Sequence, residues 1–222
     1  MKNDFMIYTS RAITLIRKNI FTCILPAIFY ALFIHNPYIA SNQGLFFLMS
    51  IILIFFPYPY VYGKIAEIIS NCRKSSCIIL VKTHWANYLI ASLILSTPAL
   101  LLGLTGESSF IEEAGSFVID IATLYVFPLV FLQKTSISSI LLGIKCLIGN
   151  FSYSLPLIII KGMQSIILSM VQRMMEGQKS LMADVFSSVA GAASIMVSVY
   201  IFIVAAMVLK DHLVNLDDEC TG

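Results

Sequence analysis

The sequence carries very little charge for its length. Charged residues make up 12% of the 222 residues and hydrophobic residues 59%, and the mean hydropathy is +0.90. A soluble domain carries roughly 25% charged residues on average. The deficit therefore excludes an ordinary water-soluble domain and predicts that most of the surface faces lipid. Backbone amides in hydrocarbon need internal partners, and the apolar runs are long and do not alternate, so we predict a single all-α integral membrane domain over 1–222.

The sequence also lacks the motifs of enzymes and of cofactor-binding domains. It contains no P-loop, no H-E-x-x-H, no G-x-S-x-G and no Rossmann glycine pattern. Cys72, Cys77 and His84 lack the fourth ligand of a zinc site, and no basic stripe suits a nucleic acid. We expect no enzyme activity, no catalytic residue, no metal, no cofactor and no nucleic-acid partner. The five cysteines are expected to be free thiols.

What the sequence does contain is a series of long apolar segments. They predict about six transmembrane helices near 20–35, 44–62, 88–104, 116–133, 151–172 and 185–209. With the N-terminus inside, the outer segments hold only Arg173 and Lys179, and Lys161 falls within a span. The other 11 of the 14 Lys and Arg residues are then cytoplasmic, as the positive-inside rule requires. We therefore predict that both termini are cytoplasmic, and the short loops are typical of a bacterial inner membrane.

Two cytoplasmic segments have the pattern of amphipathic helices. Residues 135–149 place one apolar stripe at helical spacing, formed by Ile137, Ile140, Leu141, Ile144, Leu147 and Ile148. Residues 5–18 show a rougher stripe of Phe5, Tyr8, Ala12, Leu15 and Ile16. Such segments are expected to lie in the headgroup plane with the apolar face toward the lipid. The alternative is that they are the cytoplasmic ends of the long helices that follow.

The cytoplasmic segments also resemble one another. Residues 75–88 align without gaps on residues 138–151, and the stretch that ends at Asn19 fits the same register more weakly. The second and fourth spans both end after a Phe-Pro pair. We predict three repeat-like units (1–63, 64–133 and 134–210) and a cytoplasmic tail (211–222). Each unit would be a hairpin introduced by an interfacial segment that ends in Asn19, Asn87 or Asn150. The alternative is chance similarity among apolar sequences.

This pattern of an amphipathic segment before a hairpin, three times over, resembles a known type. It is similar to the bacterial membrane domain found with some glycerophosphodiester phosphodiesterases and to related inner-membrane proteins. The resemblance implies an envelope or lipid-related role without a catalytic motif in the membrane part. The soluble phosphodiesterase domain has no counterpart in this sequence, so its activity is not implied.

Two charged residues fall inside predicted spans, where charge is costly. Lys161 lies near the middle of the fifth span, and Asp120 lies near the outer end of the fourth. One interpretation is a buried ion pair on a polar path. The second is a lysine that reaches the interface or pairs only to satisfy itself. The third is that the span breaks at Lys161 and Gly162 and the lysine lines an aqueous cavity.

The sixth span carries rows of small residues, which let helices approach closely in lipid. These are Ser187, Ala190, Gly191, Ser194 and Ser198. They predict packing within the chain, or contact with a second copy or another membrane subunit. The leading hypothesis is a non-enzymatic membrane subunit or scaffold of an envelope or transport complex. The alternative is a small oligomeric permease or channel with Lys161 and Asp120 on its polar path.

Overall fold

The structure is a computed structural model. It describes residues 2–34, 42–71, 75–104, 109–135, 137–175 and 181–212, and every regular element in those ranges is helical. Ten α-helices follow one another in the described chain: α1 (Lys2–Lys18), α2 (Ile20–Phe29), α3 (Gln43–Phe55), α4 (Pro57–Ser70), α5 (Cys77–Leu104), α6 (Ser109–Ala122), α7 (Val126–Gln133), α8 (Ile137–Gly149), α9 (Phe151–Met175) and α10 (Leu181–His212). A π-helical turn, Tyr30–Ile34, extends α2.

Three helices are long and apolar enough to cross a membrane. They contain the segments Cys77–Pro98 in α5, Tyr153–Met175 in α9 and Met182–Asp211 in α10. The pair α1 and α2 would make a fourth, but the two helices are bent by 80° where they meet. The all-helical prediction is confirmed, with three or four candidate spans in the described chain where the sequence predicted six.

Two of the predicted spans are missing from this count because each is divided into two shorter helices. The second span is split at Phe56 into α3 and α4, and the fourth is split at 123–125 into α6 and α7. Pro57 is the first residue of α4, and Pro128 lies in the first turn of α7. Proline has no amide hydrogen, and it is tolerated in a first turn because the amides there have no partner within the helix. The Phe-Pro pairs therefore mark helix starts inside the predicted spans.

The C-terminal half of α10 is the centre of the assembly. Residues 199–209 are buried except for Tyr200 and Met207, and α1, α2, α4, α7 and α9 all pack against this helix. The main buried cluster joins Val199–Leu209 to Val61, Ile65, Leu129 and Phe131. A helix that is apolar and buried on all sides is the usual core element of a membrane bundle.

Asn19 and Asn150 each lie between two helices, as the junction prediction requires, and their bonding is the same. The side-chain amide of Asn19 donates to Leu15 O at 3.0 Å, and that of Asn150 donates to Cys146 O at 3.2 Å. Each bond satisfies a carbonyl at the end of the preceding helix. The next helix can therefore leave in a new direction.

The prediction at Asn87 is wrong, because α5 runs through this residue without a break. Its side-chain amide donates to Lys134 O, 2.6 Å away, at the end of α7. The Asn87 amide therefore bonds outside its own helix, and the backbone hydrogen bonds of α5 continue through this residue. In this unit residues 77–88 are the first turns of a long helix.

The two amphipathic helices use their apolar faces differently. On α8, Ile137, Leu141 and Ile148 are exposed, as expected of a face turned to lipid. On α1 the predicted stripe is instead covered by protein, because Tyr8, Ala12 and Leu15 belong to the core cluster around α10. Hydrophobic spacing identifies an apolar face but not what covers it, so the lipid-facing prediction for this stripe of α1 is wrong.

The opposite face of α8 packs closely against α7. Ser139, Gly143 and Cys146 are buried on it. A methyl group on Gly143 would lie 2.9 Å from the backbone N and Cα of Val126, so only glycine fits this contact. Burial also raises the pKa of the Cys146 thiol.

Candidate intramembrane polar site

A cavity of about 230 Å³ lies where α6 ends and α7 begins. Residues from α4, α5, α6, α7, α9 and α10 line it: Tyr58, Tyr62, Tyr88, Asp120, Thr123, Leu124, Phe127, Pro128, Lys161, Ser198, Ile201 and Phe202. A broken helix exposes backbone polar groups, and these are tolerated at membrane depth only beside protein or a polar cavity. The break at 123–125 lies at such a cavity.

The two charged residues predicted from the sequence meet in this cavity. Lys161 Nζ lies 3.2 Å from Asp120 Oδ2. The Lys161 side chain is 19% exposed and that of Asp120 is 48% exposed, so the carboxylate is the more accessible member of the pair. Asp120 is in the last turn of α6, and Thr123 Oγ1 donates to its backbone carbonyl at 3.1 Å. A cation is favoured there because the carboxyl end of a helix is negative.

Aromatic rings form the opposite wall. The rings of Tyr58 and Tyr62 stack with centroids 5.7 Å apart, and Tyr58 lies 6.0 Å from Tyr88. The ring centroids of Tyr62 and Phe202 of α10 are 4.4 Å apart, and those of Tyr88 and Phe127 of α7 are 5.3 Å apart. These contacts join α4, α5, α7 and α10 into one aromatic wall. The faces of such rings attract cations.

The small residues of α10 pack within the chain near this site. The amide nitrogen of Gln164 on α9 donates to Ser194 O at 2.8 Å, to Ser194 Oγ at 2.7 Å and to Ser198 Oγ at 3.0 Å. Gly191 lies directly against the ring of Tyr30. Packing inside the chain, the first of the two interpretations, therefore accounts for Gly191, Ser194 and Ser198, while Ser187 and Ala190 are half-buried.

Sequence reasoning missed Gln164 and the tyrosines of the cavity. Gln164 follows Lys161 by three residues, so it extends the polar face of α9, and that spacing was an available signal. Its Oε1 is buried and has no hydrogen-bond partner among the described residues. The tyrosines had no such signal, because they come from two separate helices. Asn19, Asn87 and Asn150 do not line the cavity.

Compared with protein-family models, with curated proteins and with solved structures, the chain gives no match. The chemistry of the site therefore follows from its own side chains. A set of groups of this kind, an ion pair with hydroxyl groups and aromatic faces, is chemically able to bind a small polar molecule by charge and hydrogen bonds.

Proposed function

We propose that the protein is a small membrane permease whose cavity binds a small polar solute, with Lys161 and Asp120 as the recognition pair. The observation that carries the proposal is the position of this ion pair, 3.2 Å long, in a cavity between two halves of a broken helix. Solute sites of many transporters lie beside discontinuous helices near the middle of the bilayer. Charged residues within spans usually mark substrate or ion pathways.

The chemistry favours a zwitterion as the solute. A carboxylate group would bind Lys161, and an ammonium group would bind Asp120 and the faces of the tyrosine rings. Such a ligand exchanges one ion pair for two, so neither protein charge is left unpaired. A cavity of about 230 Å³ is smaller than the usual range of drug-sized sites, which indicates a small molecule.

The proposed topology has six spans as three hairpins, both termini in the cytoplasm, in a bacterial inner membrane. In this topology α3 and α4 together make one broken span, and α6 and α7 together make another. Tyr8 OH donates to Asp211 Oδ2 at 3.2 Å, so α1 and the end of α10 lie at the same side of the assembly. This contact and the distribution of Lys and Arg support the orientation.

Matched burial supports the three repeat-like units. Cys23, Ala91 and Ser154 occupy equivalent positions of the alignment, and all three are fully buried. Asn19 and Asn150 share the same backbone and side-chain bonding, whereas Asn87 departs from it. The units would then be copies of one hairpin with a changed junction in the second.

Ligand binding to the purified protein tests the permease proposal. The panel contains small zwitterions, organic cations, organic anions and neutral solutes, and the measurement is the shift in thermal unfolding temperature in detergent. We expect zwitterions to stabilise the wild type. Lys161→Gln and Asp120→Asn should each weaken that binding by at least about tenfold, the factor for losing about 1.4 kcal/mol of interaction.

Lys145→Gln is the matched control, because this lysine is exposed on α8 and does not line the cavity. The double variant Lys161→Gln with Asp120→Asn removes both charges together, so no unpaired charge is left to disturb folding. A folded double variant that still binds zwitterions as the wild type does would refute the proposal. So would a wild type that no member of the panel stabilises.

A second candidate function is the membrane subunit or scaffold, and one observation favours it. Met163, Met170 and Met174 form an exposed stripe along α9 with Ile166 and Ile167. Methionine side chains adapt to varied partner surfaces. Cross-linking from a Met170→Cys variant in native membranes should then give a product with one other membrane protein in a fixed ratio. Cross-links to lipid alone would contradict this function.

A further inference from the structure

A groove separate from the polar cavity opens beside the break between α3 and α4. Its volume is about 510 Å³, and it is lined by Phe55, Phe56, Ile78, Val81, Lys82 and Trp85. The rings of Phe55 and Trp85 stack with centroids 5.3 Å apart and form its floor. Phe55 ends α3 and Phe56 lies at the break, so the groove is formed where the end of α3 meets the first turns of α5.

The groove joins a long apolar wall to one cation. Ile78, Lys82 and Trp85 share one face of α5 at helical spacing, and all three are exposed. Among the described residues Lys82 makes no ion pair and no hydrogen bond. An apolar channel with a free ammonium group at its side matches a molecule with a hydrocarbon chain and an anionic head.

The groove is also placed where such a molecule is found. It lies along the first turns of α5. The proposed orientation gives this end to the cytoplasmic leaflet. Tryptophan favours the headgroup level of a bilayer, and lysines just inside the membrane attract anionic lipid.

We propose that this groove binds one anionic phospholipid of the surrounding bilayer. The acyl chain would lie against Phe55, Phe56 and Trp85, and the phosphate would pair with Lys82. The charge of Lys82 makes the site selective for anionic lipid over zwitterionic lipid. This proposal does not depend on the solute cavity, since the two sites share no residue.

The chain contains a matched control for Lys82. Lys145 occupies the same position in the aligned segment 138–151, and it is also exposed. It lies on α8, whose close contact at Gly143 with Val126 brings that helix directly against α7. Lys82 and Lys145 therefore share aligned sequence position, charge and exposure, but only Lys82 lines this groove.

Fluorescence reads this site directly, because Trp85 is the single tryptophan of the chain. The protein is reconstituted in phosphatidylcholine vesicles that contain a small fraction of either brominated phosphatidylglycerol or brominated phosphatidylcholine. Bromine quenches tryptophan only at short range. We expect the anionic lipid to occupy the site about fivefold more strongly than the zwitterionic lipid, as one lysine near a lipid phosphate provides.

Lys82→Gln should reduce quenching by brominated phosphatidylglycerol to the level of brominated phosphatidylcholine. Lys82→Arg should restore the preference, and Lys145→Gln should leave it unchanged. Unbrominated phosphatidylglycerol should reverse the quenching by competition. Equal quenching by the two lipids in the wild type, or a preference that survives in a folded Lys82→Gln variant, would overturn the proposal. Quenching by neither lipid would show that something other than lipid covers the groove, and would overturn it too.

Discussion

The two halves of α10 have similar apolar composition but opposite surroundings. In the first half Met182, Val185, Phe186 and Val189 are exposed, whereas in the second half nearly every residue from Val199 to Leu209 is buried. In water the first half would be unstable as a surface, but in lipid an exposed apolar side chain loses nothing. Close packing and not apolarity therefore separates the core of this protein from its lipid-facing surface.

The largest effect is expected when the same substitution, Phe to Ala, is made in each half of α10. Phe202 is 5% exposed and Phe186 is 51% exposed, and Phe202 packs on Tyr62 and Phe131. We expect Phe202→Ala to lower the free energy of unfolding by about 3–5 kcal/mol, because it leaves a cavity in the core. Phe186→Ala should change it by less than about 0.5 kcal/mol. Unfolding in mixed micelles with increasing dodecyl sulfate measures both, and equal losses would break the comparison.

An added methyl group at Gly143 tests whether the closely packed core extends to α8. Gly143→Ala would place a methyl group on the backbone of Val126, and we expect a loss of about 1–3 kcal/mol. Gly149→Ala on the same helix is the control, because no atom lies within 4 Å of the added carbon. The control should be neutral or slightly stabilising, since alanine favours a helix. The same micelle titration compares them, and a neutral Gly143→Ala would show that α8 is not held against α7.

Removing one hydroxyl group tests how α1 is held on the buried half of α10. Tyr8→Phe deletes the bond to Asp211 Oδ2 and keeps the buried ring. We expect a loss of about 1 kcal/mol, the usual net value of one hydrogen bond. The readout is the midpoint of thermal unfolding in detergent. An unchanged midpoint would indicate that packing of Tyr8, Ala12 and Leu15 alone holds the helix.

The smallest effect is expected at the exposed ion pair of the same contact. Arg11 Nη1 lies 3.4 Å from Asp211 Oδ2, and the side chains are 60% and 38% exposed. Water and salt screen such a pair, so Arg11→Gln should cost about 0–0.5 kcal/mol. Repeating the thermal unfolding at low and high salt checks this value. A loss larger than that of Tyr8→Phe would reverse the ranking of packing above surface charge.

The sequence predicted the helices well where apolar length alone decides them. The predicted spans 20–35 and 151–172 match the helical stretches 20–34 and 151–175, and the segment 135–149 is the separate helix α8. The breaks at Phe56 and 123–125 were not predicted, because proline inside a membrane helix is common and does not by itself reveal a break. Six spans, the orientation, the repeat and the family resemblance stay predictions.

The candidate site shows the same division between local and distant information. Lys161 and Asp120 were identified because charge is rare in an apolar run, but the sequence left open whether they meet. Asn87 was assigned as a junction by analogy with Asn19 and Asn150. Its different outcome depends on the carbonyl of Lys134, which is 47 residues away in the chain. Contacts at that distance cannot be inferred from one sequence.

The central position of α10 has a consequence for biosynthesis. The chain is made from its N-terminus, so the ribosome releases α1 to α9 before the helix that five of them pack against. Until residues 199–209 leave the ribosome, the buried faces of α1, α4 and α7 have no common partner. The core around α10 is therefore completed only after the earlier helices have been made. Nascent chains that stop before this segment would sit in the membrane unassembled, as substrates for quality-control proteases.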